Sequence, residues 1–228
     1  MALDIFKWVL PNRPVPTRIR RGPFRGARIV MNPRHSLRKI FGLYEHELND
    51  WLERALRRVN RVVDVGANDG YFTFGCAAAF QRLGKKGEII AIENQDQHIV
   101  KLRRSIEEQG ESGVSYELVQ AYAGRELKPG FVTIDSLGRP GQQTDALIKI
   151  DVEGAEVDVV EGGRKWMHPS NCFVIEVHKK EFLQVLKEIF AEQGHKLVQL
   201  DQRPLPLLGR ETRLEENWWL VSELGQKR

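Results

Sequence analysis

The rhythm of apolar and polar positions changes near residue 60. Before it, Leu48, Trp51, Leu52, Ala55, Leu56 and Val59 recur at helical spacing with charged residues between them, which predicts an amphipathic helix over 43–59. After it, short continuous apolar runs alternate with amphipathic stretches. The runs predict strands at 62–65, 89–92, 114–119, 146–150 and 172–177, an added strand at 131–134, and closing strands at 196–200 and 218–222. The stretches between them predict helices at 71–83, 96–108, 156–162 and 180–193, the last ended by Gly194. Runs apolar at every position belong to strands covered on both faces, hence to a parallel sheet. The chain therefore reads as α/β, with a doubly wound, mostly parallel, seven-stranded Rossmann-like sheet. Upstream, 17–20 and 27–31 can pair as a short hairpin around Gly22-Pro23. We divide the chain into a basic N-terminal extension, 1–42, and a domain, 43–228.

Composition changes this picture in one place. With 41% hydrophobic and 29% charged residues over 228 positions, the chain matches ordinary globular proteins and not the disordered or membrane classes. Residues 1–10 are interrupted by Asp4 and Lys7 and closed by Pro11, so neither a signal peptide nor a spanning helix is expected, and a cytoplasmic location follows by default. If helical, that segment places Leu3, Phe6 and Leu10 on one face. Cys76 and Cys172 fall inside apolar runs and read as buried thiols. The net charge of +4, however, is unevenly spread: residues 1–60 carry 13 Lys+Arg against 5 Asp+Glu. Arg18, Arg20, Arg21, Arg25 and Arg28 form the basic block. It could attract an anionic substrate, a phosphate backbone or a membrane surface, although a solvated extension is the plainer reading.

In a doubly wound sheet, ligands bind beyond the carboxyl ends of the strands. The polar residues that end the apolar runs should then converge, and they are Asp64 with the loop 66–70, Glu93, Gln120, Asp151 with Glu153, and Glu176 with His178. In the loop, Gly66 permits a tight turn, Asn68 tolerates a left-handed conformation and Gly70 leaves the following helix start uncovered. The spacing is GxNxG with an acid two residues before the first glycine, not the GxGxxG of dinucleotide binders. An acid there suits a bound molecule with a cationic amine, as S-adenosylmethionine has. Glu93 is placed to accept hydrogen bonds from both hydroxyls of a ribose, and Gln120 to read an adenine edge.

At these residues the sequence resembles the FkbM-type methyltransferase family. VDVGANDGYF stands at 63–72, KIDVEGAE at 149–156, VIEVH at 174–178 and NWWLV at 217–221, and the resemblance extends over about 45–222. It implies a class I methyltransferase fold, S-adenosylmethionine as methyl donor, and O-methylation of a natural product or glycan. The first 40 or so residues have no counterpart in it, and it names no acceptor.

Methyl transfer to a hydroxyl requires a nucleophile held roughly 3 Å from the methyl carbon and in line with the departing sulfur. His178, at a strand end, is the candidate base because an imidazole titrates near neutral pH. The segment 150–156 gathers Asp151, Glu153 and Glu156, and like charges crowd only if protonated, paired or bound to a cation. Three readings stay open. Asp151 or Glu153 acts as base; Asp151, Glu153, Glu176 and His178 hold a divalent metal; or Lys149 and its neighbours neutralise the acids. The metal is the less favoured, and no metal ligands are assigned. Glu156 is expected to face solvent in the first turn of its helix. Trp218 and Trp219 should point to opposite faces of one strand.

The expected activity is thus methyl transfer to a small-molecule or glycan acceptor. Nucleic-acid methylation through the basic first quarter is less expected, since that region lacks interleaved aromatic residues. A non-catalytic cofactor-binding or interaction module is the remaining alternative, opposed by the intact Asp64, Glu93 and Asp151. The sequence leaves the oligomeric state open.

Overall fold

A computed structural model describes residues 10–110, 113–138, 141, 143–205 and 217–224. The amphipathic face expected at the very start of the chain lies outside these residues. An antiparallel hairpin opens the structure, with β1 (Val15–Arg18) paired to β2 (Arg28–Met31). A short helix α1 (Leu37–Ile40) and a 3-10 turn at His46–Leu48 lead into α2 (Asn49–Arg58). The helix expected over 43–59 therefore starts later than its apolar spacing implied. Glu45 takes a left-handed φ of 48°, a conformation that no helix can continue through.

The main sheet is built from β3 (Arg61–Val65), β4 (Gly87–Glu93), β5 (Val114–Gln120), β8 (Ala146–Ile150), β9 (Cys172–Val177), β10 (Leu197–Leu200) and β11 (Trp218–Ser222). A separate pair, β6 (Tyr122–Ala123) with β7 (Phe131–Val132), takes the place of the longer strand expected at 131–134; Ile134–Ser136 turns as a 3-10 helix instead. The connecting helices are α3 (Tyr71–Arg82), α4 (Asp96–Glu107), α5 (Glu156–Glu161) and α6 (Phe182–Glu192). Strand order is β10-β11-β9-β8-β3-β4-β5. All pairings are parallel except those of β11 with its two neighbours. The direction of winding reverses between β3 and β8, which is where such a sheet opens a crevice.

Period-two alternation divides the strand residues between two cores. Val62, Ile89, Leu147, Val174 and Trp219 pack on one face of the sheet; Val63, Ile90, Ile148, Ile175 and Leu220 pack on the other. Trp218 and Trp219 thus part as expected, Trp219 fully inside and Trp218 half-covered against the second core. Cys76 and Cys172 are free and buried.

The basic extension is not a solvated tail. Ile19, Phe24, Ala27, Ile29, Met31, Leu37 and Ile40 join the same core as α2 and α3. Gly75 makes this docking feasible, because a Cβ there would stand 2.3 Å from the Phe24 ring. Phe24 lies edge-on to both Tyr71 and Phe72, with ring centroids 5.1 and 5.5 Å away. Among the described residues, no helix is long and apolar enough to cross a membrane.

Candidate functional site

At the reversal point a crevice of about 280 Å³ opens beyond the strand ends. Its walls come from the loop after β3 (Gly66, Asn68), the end of β4 (Glu93 to Gln95), the segment after β5 (Ala121 to Ala123) and the loop after β8 (Asp151 to Glu153), with His98 of α4 closing one side.

The loop after β3 is bent to fit against its neighbours. Gly66 has φ +79°, and a Cβ on it would meet the carbonyl oxygen of Asp151 at 1.9 Å. Only glycine lets the two strand-end loops pass so closely. Asn68 has φ +49°, as its residue type allows. The amides of Gly66 and Ala67 both donate to Ile92 O at 3.0 Å, so β4 carries the loop. Gly70, with φ +82°, starts α3; a side chain there would strike Phe74, and the residue lies outside the crevice wall.

Glu93 ties the loop after β3 to the end of β4. Its carboxylate accepts from three backbone amides, Asn68 at 2.8 Å and Asn94 and Gln95 at 2.9 Å each. A carboxylate offers about four acceptor positions, so one remains for a ligand hydroxyl. Asp64 is placed differently from its sequence expectation. It is fully enclosed beneath the loop, accepting from Thr73 Oγ1 at 2.5 Å and facing Lys149 Nζ at 3.5 Å. Burial pushes its carboxyl up, opposed by the Lys149 charge and the Thr73 hydrogen bond. Gln120 also stays out of the crevice, its amide donating to Asp96 Oδ1 at 2.5 Å. Tyr122, two residues on, lines the crevice in its stead, stacked on Phe131 with ring centroids 5.1 Å apart. The end of β5 was legible to within one residue, but the short strand β6 that follows at once was not, and it brings Tyr122 to the crevice.

Lys149 organises the acids. It donates to Gly66 O at 2.8 Å and lies 3.1 Å from Asp151 Oδ2. Burial would lower its pKa, but Asp151, Asp64 and Glu45 outweigh this and hold it charged. Of the acids in the neutralisation reading, Lys149 balances Asp151; it also faces Asp64, which that reading did not include. Glu153 is exposed at φ 47° and lines the outer wall.

His178 sits beside the crevice, next to Asp151. Its Nδ1 is 2.6 Å from Glu156 Oε1 and its Nε2 is 3.8 Å from Asp151 Oδ1. Glu156 corrects an expectation: it does not face solvent but is wholly buried, also accepting from the Gly154 amide at 2.8 Å. The helix-terminus rule placed it outward; the contact with His178, 22 residues away, draws it in. Burial would depress the His178 imidazole, yet the Glu156 hydrogen bond and the charges of Glu176 and Asp151 raise it. For Glu156, burial is likewise outweighed, by His178 and the Gly154 amide, and its pKa is lowered. Glu176 is buried and accepts from Asn217 Nδ2 at 2.6 Å. Ligand atoms of Asp151, Glu176 and His178 lie within 4.8 Å of one another, a spacing that could hold a metal ion; Glu153, grouped with them in the sequence, is not part of this cluster.

Residues 124–197 match the family model described as a methyltransferase FkbM domain. That segment includes β8, the loop 151–156 and β9, but not the loop after β3. None of the curated proteins matches the chain. Among solved structures, it is similar to the methyltransferase FkbM from Methylobacillus flagellatus KT at 16% identity and a TM-score of 0.56, over 72% of this chain and 44% of that one. The chain thus spans less than half the length of that relative. It is also similar to the METTL16 MTase domain, at 15% identity and a TM-score of 0.50, over 86% of this chain and 69% of that one. At such identities the likeness is one of fold.

Proposed function

Taking the chain as an FkbM-type methyltransferase, we propose that it moves the methyl group of S-adenosylmethionine onto a hydroxyl of a small molecule or glycan. One observation carries the choice of donor. Glu93, Asp151 and Glu153 line the crevice, and among the described residues no lysine or arginine does. Such a wall favours a cationic ligand and repels the phosphates of a dinucleotide.

Bound there, the donor would supply an electrophilic methyl group on a sulfonium. The protein's task is then to hold and exclude. Gly66 and Asn68 bring backbone close to the ligand, Glu93 offers its remaining acceptor position to a ribose hydroxyl, and Ala121 with Tyr122 flank the base end in place of Gln120. Asp64 serves from below, fixing the loop through Lys149 and Thr73. Positioning of this kind is worth about 7–11 kcal/mol.

His178 is the base. With Nδ1–H donated to buried Glu156, the free lone pair of the neutral ring is on Nε2, on the side of Asp151. Removing the acceptor's proton adds on the order of 10²- to 10⁴-fold. Calorimetry and turnover test both halves: His178→Ala should bind donor as the wild type does and lose about 10²- to 10⁴-fold in kcat. Undiminished turnover removes His178 as base, and a folded wild-type protein that binds neither donor nor its demethylated product removes the whole reading.

A second reading draws on the cluster of Asp151, Glu176 and His178. A divalent cation there would lower the acceptor hydroxyl's pKa, two carboxylates and an imidazole suiting magnesium or manganese. It is the weaker reading because Lys149 already balances Asp151. Loss of turnover in chelator, restored by either metal, would put it first.

A further inference from the structure

Methyl transfer uses the acidic crevice and leaves the basic hairpin without a task. The turn of that hairpin lies over the C-terminal part of α3, and the two enclose a cavity of about 490 Å³. Arg18, Arg20, Arg25 and Arg82 line it, with Ile19 and Ala78 as its apolar floor. Arg82 is fixed in place, donating to Arg25 O and Pro23 O at 2.8 Å each. Arg25 donates to Glu53 Oε1 at 2.7 Å, and Arg82 lies 3.7 Å from the same oxygen. Among the described residues, one carboxylate therefore answers these four guanidinium groups. Arg18 and Arg20 are exposed and have no side-chain hydrogen bond or ion pair to any described residue.

The fold holds these cations together against their repulsion. Burial, then the charges of Arg25 and Arg57, depress the Arg82 guanidinium below the usual arginine range. Arg18 also stands opposite Arg28 in the β1–β2 register, and like charges directly across a ladder disfavour it. Excess positive charge in a concavity, presented as rigid forked donors, matches the bidentate geometry of phosphate oxygens.

We propose that this groove binds a phosphorylated small molecule, its diphosphate group held by Arg18 and Arg20 against Arg82. The site is separate from the crevice. From Gly70 at the crevice loop to Arg82 at the far end, α3 covers about 18 Å at 1.5 Å per residue, so the ligand and the methyl donor do not compete. The shape favours a small ligand over a polymer. Among the described residues no aromatic side chain lines the groove, so they offer none of the base stacking that retains single-stranded nucleic acid. Its concave form also differs from the exposed basic faces that meet membranes.

Calorimetric titration of the whole chain with inorganic pyrophosphate tests the site, with Arg18→Gln/Arg20→Gln as the variant. Both side chains are exposed, so the variant should fold, and unchanged binding of the demethylated donor product reports that it does. The expected result is one pyrophosphate site, weakened about tenfold in the variant. Tighter binding of a nucleoside diphosphate than of pyrophosphate would support the proposal further. No pyrophosphate binding, or equal binding by both proteins, overturns it. So does a short single-stranded oligonucleotide, or vesicles of anionic lipid, binding about a hundredfold more tightly than pyrophosphate and losing that binding in the variant, since the partner would then be macromolecular.

Discussion

Two concavities of opposite sign lie towards the two ends of α3, and they are built on different principles. Beneath and beside the crevice wall, the charges are largely buried and are paired with one another: Lys149 with Asp64 and Asp151, His178 with Glu156. In the groove, the cations sit on the hairpin and, for Arg82, at the end of α3, are mostly exposed, and among the described residues outnumber their one partner. Water stabilises an exposed charge whether or not it has a partner, whereas a buried charge depends on the protein for everything. Substitutions should therefore be costly to the fold at the first site and nearly silent at the second, while both alter ligand binding.

The largest effect belongs to the crevice floor. Gly66→Ala forces a Cβ into the Asp151 carbonyl, at a φ that alanine rarely adopts. We expect a loss of more than about 4 kcal/mol in urea unfolding, with donor binding abolished in whatever protein folds. Mild destabilisation with normal donor affinity would show that the two loops can part.

Lys149→Met comes next. It leaves Asp64 and Asp151 facing each other without their shared cation, and breaking a buried pair costs about 3 kcal/mol or more. Because Asp64 already has a raised pKa from burial, the variant should recover part of that loss at low pH, where Asp64 protonates. A stability difference from wild type that does not vary with pH would mean that Lys149 acts by packing alone.

Lys149 and Glu156 also mark the limit of what the sequence displays. The strands of the main sheet were legible because burial on both faces leaves a run of apolar residues, and the strand-end rule then found Gly66, Asn68, Glu93, Asp151 and Glu153 on one wall. Lys149 interrupts such a run; its role in neutralising nearby acids was one open reading, but its bond to Gly66 O, from a loop 83 residues earlier, was not legible. Glu156 obeys a local rule for helix starts until a histidine from the next strand overrides it. The extension misled for the same reason. Its arginines advertise solvent, while the contacts that bind it to the core are made by scattered residues such as Phe24, which packs against Tyr71, Phe72 and Gly75 of α3.

Glu156→Gln sharpens the comparison at about 2 kcal/mol, the scale of a hydrogen bond to a charged group. The folded His178 has a raised pKa, so its contribution is full below the ordinary histidine value of 6.5 and is lost as pH rises through the raised value. The folded Glu156 has a lowered pKa, so its contribution is full above the ordinary 4.5 and is lost as pH falls through the lowered value. The stability gap between wild type and variant should be widest between those two ordinary values. With His178 as the proposed base, only its neutral imidazole would be active, and the acidic limb of the kcat/KM profile should move to lower pH. A profile that keeps its position while the protein is destabilised would reduce Glu156 to a structural role.

Lys39 joins the extension to the crevice loop. Its Nζ is 2.6 Å from Asp69 Oδ2, and Asp69 Oδ1 in turn accepts from the Tyr71 amide at 3.2 Å. Burial would raise the Asp69 carboxyl, but the Lys39 charge outweighs it and its pKa is lowered. The pair is partly exposed, so Lys39→Met should cost about 1 kcal/mol and weaken donor binding by about fivefold. Unchanged donor affinity would detach the extension from the crevice.

The smallest effect on the fold is expected where the charge density is highest. Arg18→Gln/Arg20→Gln removes two exposed cations that have no described partner and relieves repulsion with Arg28 across the hairpin. Unfolding free energy should stay within about 0.5 kcal/mol of wild type, on the stabilising side if the repulsion dominates. Added salt should shrink even that difference, because charges in water are screened over about 10 Å at 0.1 M. A loss comparable to that of Lys149→Met would mean that these arginines have internal partners and are not left over for a ligand, and the contrast between the paired charges beneath the crevice and the unbalanced groove would fail at its basic end.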